Sequence, residues 1–544
     1  MNRDRGPDAR LERAAMVERL GRENFDIAII GGGINGAAIA RDAALRGLKV
    51  ALIDKGDFAG ETSSRSSKLI HGGLRYLPQG QFHLVFEALR ERERLRWHTA
   101  PHLVHPLRFL MPFYRGRRPG RIAIGFGLAL YDLMARPARA ERHRRLSREA
   151  AAMLEPMLRS DGLNGAATYY DCASDDARIT LENALDAAYH GAAIANYAAA
   201  EALLHNGSAL TAIGVRDRER DVSFELRARV FINAAGPWLE AIRRMDRADA
   251  APCARLTKGV HLIVSRARLP ITGPLVLTDG EGRIVFVIPL DANVLVGTTD
   301  TDFSGDPAEV AADAADLGYL LEVVNETLPA AALRPDDVLT AFAGLRVLAG
   351  EDPARSASRV AREELIEIAP SGLVTVAGGK LTTHRVIAEK VLRRVASRLG
   401  LGGAAAMTRE LPLPGARRLA ATTEALAGLP EHLQGALRSR YGTRVELVAR
   451  IARDEPRFAA PILDDAALIA AEIIFAVRYE MARTVADFLI RRVALSWHDP
   501  DKAAAAAPVV ARLMAAELGW DRRREAAEAG DFQPGIGRGR PVSP

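Results

Sequence analysis

The sequence predicts an α/β fold: a Rossmann-like domain that is assembled from separated segments and followed by a smaller helical domain. Two strand–glycine–helix units predict the first domain, one beginning at residue 25 and the other at residue 372 of the 544 residues. A single domain built from distant segments would show this repetition near both of its ends. Apolar residues at helical spacing in residues 464–495 predict the helical domain.

The first of these units has the order strand, turn, helix, strand. The apolar run Phe25–Ile30 leads directly into the sequence GGGING, and apolar residues at helical spacing continue to Gly47, where the helix is expected to stop. Lys49–Asp54 is the second strand. Such a βαβ unit predicts a parallel sheet with a right-handed crossover.

The glycines of GGGING have the spacing of a dinucleotide-binding turn. Gly31 allows the tight turn after the strand, Gly33 lets the backbone approach a pyrophosphate, and Gly36 lets the helix pack closely on the sheet. The start of the helix offers unpaired N–H groups to the phosphates. Asp54 suits ribose hydroxyls and argues against a 2′-phosphate, hence against NADP. The alternative is a glycine-rich turn in another α/β protein.

The segment after Asp54 favours FAD over NAD. It is a polar loop, KGDFAGETSSRSSKLIHGGLRYL, and does not repeat the plain strand–helix pattern. Serine and threonine hydroxyls suit ribityl and phosphate oxygens, while glycines let the backbone lie against the flat isoalloxazine ring. The sequence therefore predicts FAD as a non-covalent cofactor.

Composition excludes several other classes of protein. The N-terminal segment is charged throughout and lacks the apolar core of a signal peptide, and no uncharged apolar run of about 18 residues predicts a membrane span. Cys172 and Cys253 are too few for a disulfide framework or a metal site, so we expect no metal and a reducing, cytoplasmic setting. Cys172 is interpreted as a packing residue.

The distribution of charge is more informative than the net charge of +6. Between Arg90 and Arg148, fifteen arginines stand against four acids and flank the apolar stretch IAIGFGLALYDL. Arginines around an apolar segment suit an anionic membrane surface. The alternative is a solvated basic face beside a buried helix.

Blocks of sequence across residues 25–495 resemble the FAD-dependent glycerol-3-phosphate dehydrogenases of the aerobic type. The first block is residues 30–77, from IGGGING to GGLRYL, and the others are YYDCASDDARITLENALDAAYHGA, NAAGPW, KGVHLIV, GTTDTDFSGDP, AGLRVL, VAGGKLTTHR and YEMARTVADFLIRR, in family order. The resemblance implies oxidation of sn-glycerol 3-phosphate to dihydroxyacetone phosphate, with electrons passing through FAD to a membrane quinone. It also implies a peripheral position on the cytoplasmic face of the cell membrane.

The resemblance and the composition together predict five regions. Residues 1–24 are a frayed, mostly polar leader, and residues 25–400 form an FAD-binding domain interleaved with an antiparallel-sheet substrate domain. An alanine-, glycine- and proline-rich linker at 401–418 leads to the helical domain at 419–525, and residues 526–544 form a disordered tail. A β-hairpin is predicted within residues 283–303.

The substrate of this family is a phosphate dianion, so its pocket needs fixed cations. Arg75 and Arg346 match family positions that line the substrate pocket, and Arg362 is a third candidate. Tyr76 is expected to donate a hydrogen bond to the same anion. For any single arginine the alternative is a surface salt bridge.

Oxidation at C2 requires a group that accepts the proton of the C2 hydroxyl. His261 is the candidate base, with a packed structural histidine as the alternative. Lys380 is expected to polarise the C2 oxygen or stabilise negative charge on the reduced flavin, with a solvated lysine at a helix start as the alternative. The residues expected to hold FAD are Gly31, Gly33, Asn35, Gly36, Asp54, Thr62, Ser63, Ser66, Lys68, Leu69, Gly236, Gly344 and Gly379.

Several questions stay open at this stage. His384 and Phe303 depart from tyrosines common in the family, and both positions look peripheral. The same pocket suits an oxidase that passes electrons to oxygen, and a more distant rival is an amino-acid oxidase. A flavoprotein that binds nucleic acid is a third rival, but no recognition-helix or base-stacking signature supports it, so we expect no nucleic acid partner. The sequence leaves a homodimer open.

Overall fold

The computed structural model describes residues 9–116, 121–135, 138–350, 364–401, 407–417, 426, 429–463 and 466–534. The strands in these ranges are β1 (Asn24–Ile30), β2 (Val50–Ile53), β3 (Leu69–Ile70), β4 (Val104–Tyr114), β5 (Arg144–Leu146), β6 (Leu163–Ser174), β7 (Ala193–Ala195), β8 (Ala198–Asn206), β9 (Ala209–Asp217), β10 (Val222–Asn233), β11 (Ala254–Ser265), β12 (Leu275–Thr278), β13 (Ile284–Leu290), β14 (Asn293–Gly297), β15 (Thr301–Phe303), β16 (Val338–Ala349), β17 (Glu364–Ile368) and β18 (Val374–Gly378). The α-helices are α1 (Arg13–Arg22), α2 (Ile34–Leu45), α3 (Phe82–Arg94), α4 (Arg121–Ala135), α5 (Arg148–Leu154), α6 (Asp176–Tyr189), α7 (Leu239–Asp246), α8 (Ala314–Thr327), α9 (His384–Leu399), α10 (Glu431–Tyr441), α11 (Val445–Asp454), α12 (Ala470–Glu480), α13 (Leu495–His498), α14 (Pro500–Leu518) and α15 (Arg522–Gly530).

The first sheet confirms the Rossmann-like domain built from separated segments. Its strand order is β17-β18-β10-β1-β2-β7, and the run from β18 to β7 is parallel. Ile30 pairs with both Ile53 and Asn233, so the carboxyl ends of β1, β2 and β10 meet at one edge. Ligands of open α/β sheets bind outside this edge. Helices α2, α6 and α9 contribute to the apolar core on one face of the sheet.

The second sheet is the interleaved, mainly antiparallel one. Its order is β15-β11-β14-β13-β12-β4-β6-β3, with β16 beside β11 and β5 beside β6. One pair, β4 with β12, is parallel. The predicted hairpin is β13–β14, in which Leu290 pairs with Asn293. Helix α8 packs on this sheet through a second apolar core.

Part of the predicted polar leader is a packed helix. In α1, Met16, Val17 and Leu20 are buried, and the Arg13 guanidinium donates to the buried Asp217 carboxylate at 2.8 Å. The expectation of a frayed leader is therefore wrong for these residues. Apolar residues on one side of α1 bury against the sheet although most of its other side chains are charged.

The C-terminal region is helical, as predicted, but residues 464–495 are not one continuous helix. Helix α12 ends where Met481 takes a left-handed conformation with φ of 54°, and a π-helical segment, Asp487–Arg492, follows. Helix α15 extends into the predicted disordered tail, of which residues 535–544 lie outside the described ones. In the predicted linker, Leu413, Pro414 and Gly415 are buried.

A buried ion-pair network joins the helical region to the first sheet. Asp57, in the loop after β2, accepts from Arg491 and from Arg492, each at 2.7 Å. Burial alone would raise the pKa of Asp57, but the charges of Arg492 and Arg491 outweigh it and lower the pKa to about 2. Glu480 forms a second buried pair with Arg178 at 2.7 Å.

Candidate active site

A cavity lies between the two sheets at the carboxyl edge of the first. It is lined by the start of α2, the polar loop at residues 55–77 (called the serine-rich loop), strands β11, β13 and β16, and the end of β18. Of the residues singled out from the sequence, twelve line it: Gly33, Asn35, Thr62, Ser63, Ser66, Leu69, Gly236, His261, Gly344, Arg346, Gly379 and Lys380. Residues far apart in sequence therefore line the same cavity.

The glycine turn presents the start of α2 to this cavity. Gly31 has φ of +108°, and a Cβ on Gly36 would come within 1.9 Å of the Gly31 oxygen, so both positions need glycine. The Ile34 N–H donates to Ser63 Oγ at 2.9 Å, and the Asn35 amide donates to the Gly378 oxygen at 3.1 Å. The serine loop and β18 thus both meet the positive end of α2.

Asp54 lies beside the same turn, at the end of β2. Its Oδ2 accepts from the Gly32 N–H at 2.6 Å and its Oδ1 from the Gly56 N–H at 2.8 Å. Burial raises the pKa of Asp54 to about 6. The two backbone donors fix the direction of the carboxylate, which is where the motif expects a ribose.

The serine-rich loop is organised by an acid that the sequence analysis missed, Asp176 at the start of α6. Its Oδ2 accepts from the Ser66 hydroxyl at 2.6 Å, and its Oδ1 accepts from Lys68 Nζ at 2.7 Å. Thr62 Oγ1 donates to the Leu345 oxygen at 2.7 Å. Lys68 thereby holds the loop through its ammonium group rather than lining the cavity. Asp176 lies in one of the sequence blocks that resemble the family, but no local pattern predicts its contacts with Ser66 and Lys68.

His261 is buried in β11 with its ring on the cavity wall. Nε2 lies 2.8 Å from Ser67 Oγ, and Nδ1 has no hydrogen-bond partner among the described residues. The ring stacks on Phe342 at 4.9 Å between centroids. It also fills the space opposite Gly297, where a Cβ would come within 2.2 Å of His261 Cδ2. Ser67, Phe342 and Gly297 therefore set the direction of the imidazole.

The imidazole of His261 is neutral at physiological pH. Burial lowers the pKa of His261 to about 3, and the positive charges of Arg346 and Lys68 act in the same direction. A neutral imidazole retains a lone pair that can accept a proton. A bound anion near Arg346 would offset the repulsion and raise this pKa.

Arg346 extends from β16 across the neighbouring strand. It donates to Thr298 Oγ1 and the Thr299 oxygen, each at 3.0 Å, and to Asp300 Oδ1 at 3.1 Å. A Cβ on Gly259 would come within 2.6 Å of its Nη2. The absence of a side chain at Gly259 thus lets the guanidinium lie against the sheet at the cavity wall.

Lys380 follows β18, and its ammonium group is stacked on a buried tyrosine. Its Nζ lies 4.1 Å from the Tyr76 ring centroid. Gly73, with φ of +82°, makes room for both: a Cβ there would come within 2.5 Å of the Tyr76 ring and 3.2 Å of Lys380 Nζ. Of the pair, Lys380 lines the cavity and Tyr76 lies behind it. The side chain of Arg75 and the whole of Arg362 lie outside the described residues.

Two further groups on the cavity wall were not singled out from the sequence. Arg65 is a cation in the serine-rich loop whose guanidinium pairs with Glu61 at 2.9 Å. Asp171, on β6, accepts from the Tyr131 hydroxyl at 2.6 Å and from Arg92 at 2.7 Å. The number of arginines in the sequence does not identify Arg65 as a site residue, because only the fold brings its side chain to the cavity.

The donor set fits FAD. The open start of α2 suits a pyrophosphate, and the fixed carboxylate of Asp54 suits a ribose. The hydroxyl-rich loop suits the ribityl chain. Fold and cavity thus define a flavin-dependent oxidoreductase. The family model for FAD dependent oxidoreductases matches residues 26–394, and the model for the C-terminal domain of alpha-glycerophosphate oxidase matches residues 406–525.

Curated relatives and solved structures agree with this class. Glycerol-3-phosphate dehydrogenase 2 of Mycobacterium bovis is 39% identical over 94% of this chain and 87% of its own length. The aerobic glycerol-3-phosphate dehydrogenase of Staphylococcus haemolyticus is 35% identical over 89% of each chain. The solved glycerol-3-phosphate dehydrogenase of Bacillus halodurans, complexed with FAD, aligns with a TM-score of 0.79 and 29% identity over 95% of this chain and 96% of its own. The chain belongs to the FAD-dependent glycerol-3-phosphate dehydrogenase family, and FAD is its cofactor.

Proposed function

We propose that this protein oxidises sn-glycerol 3-phosphate to dihydroxyacetone phosphate and passes the electrons to a membrane quinone. The observation that supports the reaction is the meeting of Arg346, His261 and Lys380 on the wall of the cavity that begins at the nucleotide turn. The relatives described above are named glycerol-3-phosphate dehydrogenases, which supports the substrate and the reaction type. Glycerol and glycerophospholipid metabolism is the corresponding setting.

The cofactor is held by the residues that the motif and the loop provide. The ADP half is held by Gly31, Gly33, Asn35, Gly36 and Asp54. The pyrophosphate, ribityl chain and ring are held by Thr62, Ser63, Ser66, Lys68 and Leu69. Of these, Lys68 acts indirectly, because its ammonium group holds the loop in place. Gly236, Gly344 and Gly379 let the backbone approach closely elsewhere. When bound, FAD supplies the acceptor for the hydride that leaves C2.

The substrate phosphate is bound by cations at the cavity wall. Arg346 is held in place by Thr298, Thr299 and Asp300, so little side-chain freedom is lost when it engages an anion. Arg75 and Arg362 are proposed to complete this group, with Tyr76 positioning Lys380. Binding the phosphate orients C2 relative to His261 and Lys380.

Proton transfer is assigned to His261. As the neutral form prevails, a ring nitrogen accepts the proton from the C2 hydroxyl as the carbonyl forms. Lys380, whose charge is stabilised by the Tyr76 ring, polarises the C2 oxygen at the same time.

Replacing the base tests this assignment. His261→Gln is expected to lower kcat about 10²- to 10⁴-fold with FAD bound and KM changed little. Ser67→Ala, which removes only the neighbour of Nε2, should lower kcat less. Because the free His261 has a pKa of about 3, it stays unprotonated down to roughly pH 4, and any acid-side loss of kcat/KM above that pH belongs to another group. Full activity in His261→Gln would show that another group accepts the proton of the C2 hydroxyl.

The proposal also names a membrane quinone as the electron acceptor. One side of the cavity is apolar, with Met111, Tyr169, Ile284 and Phe286 on its wall. A phosphorylated alcohol does not need such a wall, whereas an acceptor with an apolar ring fits it. We place the protein in the cytoplasm, at the inner face of the cell membrane, where such an acceptor is dissolved.

Anaerobic mixing with sn-glycerol 3-phosphate tests the reaction. We expect the flavin absorbance to bleach and dihydroxyacetone phosphate to appear in equal amount, whereas glycine or proline should leave the spectrum unchanged. Intact bound FAD that does not bleach would count against the proposal. Reoxidation by a quinone analogue with little peroxide supports the quinone, and fast peroxide formation in air supports the oxidase.

A further inference from the structure

The turn at Gly72 and Gly73 joins β3 to a short 3₁₀ segment, Leu74–Gln79, which carries Tyr76. Strand β3 pairs with β6 up to Ile70, so the sheet ladder ends before the turn. Gly73 has φ of +82°, a conformation that favours glycine. The buried N–H of Gly72 must therefore find its hydrogen-bond partner outside the ladder.

Tyr131 of α4 provides this partner. Its hydroxyl oxygen accepts from the Gly72 N–H at 2.9 Å, and the hydroxyl donates to Asp171 Oδ1 at 2.6 Å. A phenol can accept and donate at the same time, whereas the ring of phenylalanine can do neither. Burial raises the pKa of Tyr131 well above its ordinary value, so the hydroxyl keeps the proton that it donates. Tyr131 thus bridges the turn and β6.

Arg92 of α3 fixes the carboxylate to which Tyr131 donates. Its guanidinium donates to Asp171 Oδ1 at 2.7 Å and to the Tyr170 oxygen at 3.0 Å. Arg92, Tyr131 and Asp171 are all buried, and a charge-assisted hydrogen bond in such a place is strong. Helices α3 and α4 both contact the 3₁₀ segment, and each therefore contributes one polar side chain that anchors the turn before it.

The same turn determines where Lys380 lies. A Cβ on Gly73 would come within 2.5 Å of the Tyr76 ring and 3.2 Å of Lys380 Nζ, so no free space separates the three groups. The ammonium group rests on the Tyr76 ring, 4.1 Å from its centroid. A displacement of the turn would therefore move the ring and, with it, the cation on the cavity wall.

We propose that Tyr131 is a positioning residue for the oxidation. Its bridge from the turn to Asp171 holds the Tyr76 ring in place, and that ring supports the ammonium group of Lys380 beside the C2 oxygen. Asp171 and Gly73 belong to the described residues that line the cavity, and Tyr131 lies behind them. The inference rests on the proposed function, which gives Lys380 its role at C2.

Tyr131→Phe in the full chain loaded with FAD removes the bridge and keeps the ring, which packs edge to face on Tyr169 with centroids 6.2 Å apart. The Gly72 N–H also lies 3.4 Å from Asp171 Oδ1, so without the hydroxyl the turn should move toward this oxygen. We expect anaerobic bleaching by saturating sn-glycerol 3-phosphate, measured per bound flavin, to slow about 5- to 100-fold. The substrate concentration for half-maximal bleaching should change less, because Arg346 is held by other residues.

Lys380→Met supplies the second half of the test. If Tyr131 acts through Lys380, adding Tyr131→Phe to this variant should slow bleaching by less than about twofold. A merely structural role would add the full loss in both backgrounds. The matched control is Tyr319→Phe, which removes a hydroxyl of α8 that donates to Asp279 at 2.9 Å. Neither residue of that pair lines the described cavity, and the variant should bleach at the wild-type rate.

Several outcomes would overturn the inference. They are an unchanged bleaching rate in Tyr131→Phe, a loss confined to substrate affinity, and a full additional loss in the Lys380→Met background. Failure of Tyr131→Phe to fold or to retain FAD also overturns it, because the residue would then be structural. A wild-type protein that sn-glycerol 3-phosphate does not bleach defeats the proposed function and the role of Tyr131 in it. A wild type that bleaches beside an insensitive Tyr131→Phe defeats the inference alone.

Discussion

Arg346→Ala is expected to raise KM for sn-glycerol 3-phosphate roughly 30-fold or more, because truncating one partner of a hydrogen-bonded charge pair costs about 2–5 kcal/mol. The guanidinium lies at the cavity wall against Gly259 and is fixed by Thr298, Thr299 and Asp300. None of these contacts involves the nucleotide turn. FAD should therefore stay bound, and the flavin spectrum should be unchanged.

Steady-state kinetics on two companion variants separate charge from geometry. Arg346→Lys keeps a point charge but not the planar fork, so it should recover part of the loss. Arg268→Ala removes an arginine from the turn after β11 that pairs with Asp337 at 2.6 Å on the surface, and it should leave KM nearly unchanged. Loss of the flavin in Arg346→Ala would mean that this arginine serves the cofactor and not the substrate.

Arg492→Met is expected to lower the free energy of unfolding by about 3–5 kcal/mol, because it leaves a buried carboxylate with too little positive charge. Asp57 and Arg492 are both fully buried, and Arg492 also donates to the Glu480 oxygen at 2.8 Å. The loop that carries Asp57 begins at Asp54 and places Phe58 against Gly32, where a Cβ would come within 2.5 Å of the ring. FAD should therefore dissociate more easily as well.

Urea denaturation and release of FAD fluorescence measure both effects. Arg457→Met, an exposed arginine of the helical region that pairs with Glu455, is the control and should change stability by less than about 0.5 kcal/mol. The contribution of Asp57 is present above its ordinary pKa of 3.8 and is lost as pH falls through about 2 in the wild type. In Arg492→Met the pKa rises, so the loss should begin at higher pH. Wild-type stability and flavin retention in Arg492→Met would show that the network is not needed.

The sequence predicted the features that depend on consecutive residues. The spacing of Gly31, Gly33 and Gly36 and the acid at Asp54 are local, so the βαβ unit and its dinucleotide turn followed from chain order alone, and the polar loop after Asp54 then favoured FAD. The hairpin β13–β14 was predicted for the same reason, since its two strands adjoin. The family resemblance added the interleaved second sheet, which no local pattern indicates.

Burial of the N-terminal and C-terminal helices was harder to predict. Helix α1 is highly charged, so composition indicated a polar leader, but one apolar stripe and the Arg13–Asp217 pair suffice to pack it. The apolar spacing of residues 464–495 predicted helix correctly and did not reveal the break at Met481. Periodicity reports which residues are buried, and it does not report where the chain changes direction.

The sequence by itself determined that this protein folds around a dinucleotide turn and binds FAD, because those residues act through their own backbone and their immediate neighbours. Only the tertiary structure decided which side chains meet in the cavity. Ser67 and His261 are 194 residues apart, and Asp57 and Arg492 are 435 residues apart. Such contacts depend on the order and register of strands and on the packing of whole helices, and no short pattern in the sequence encodes them.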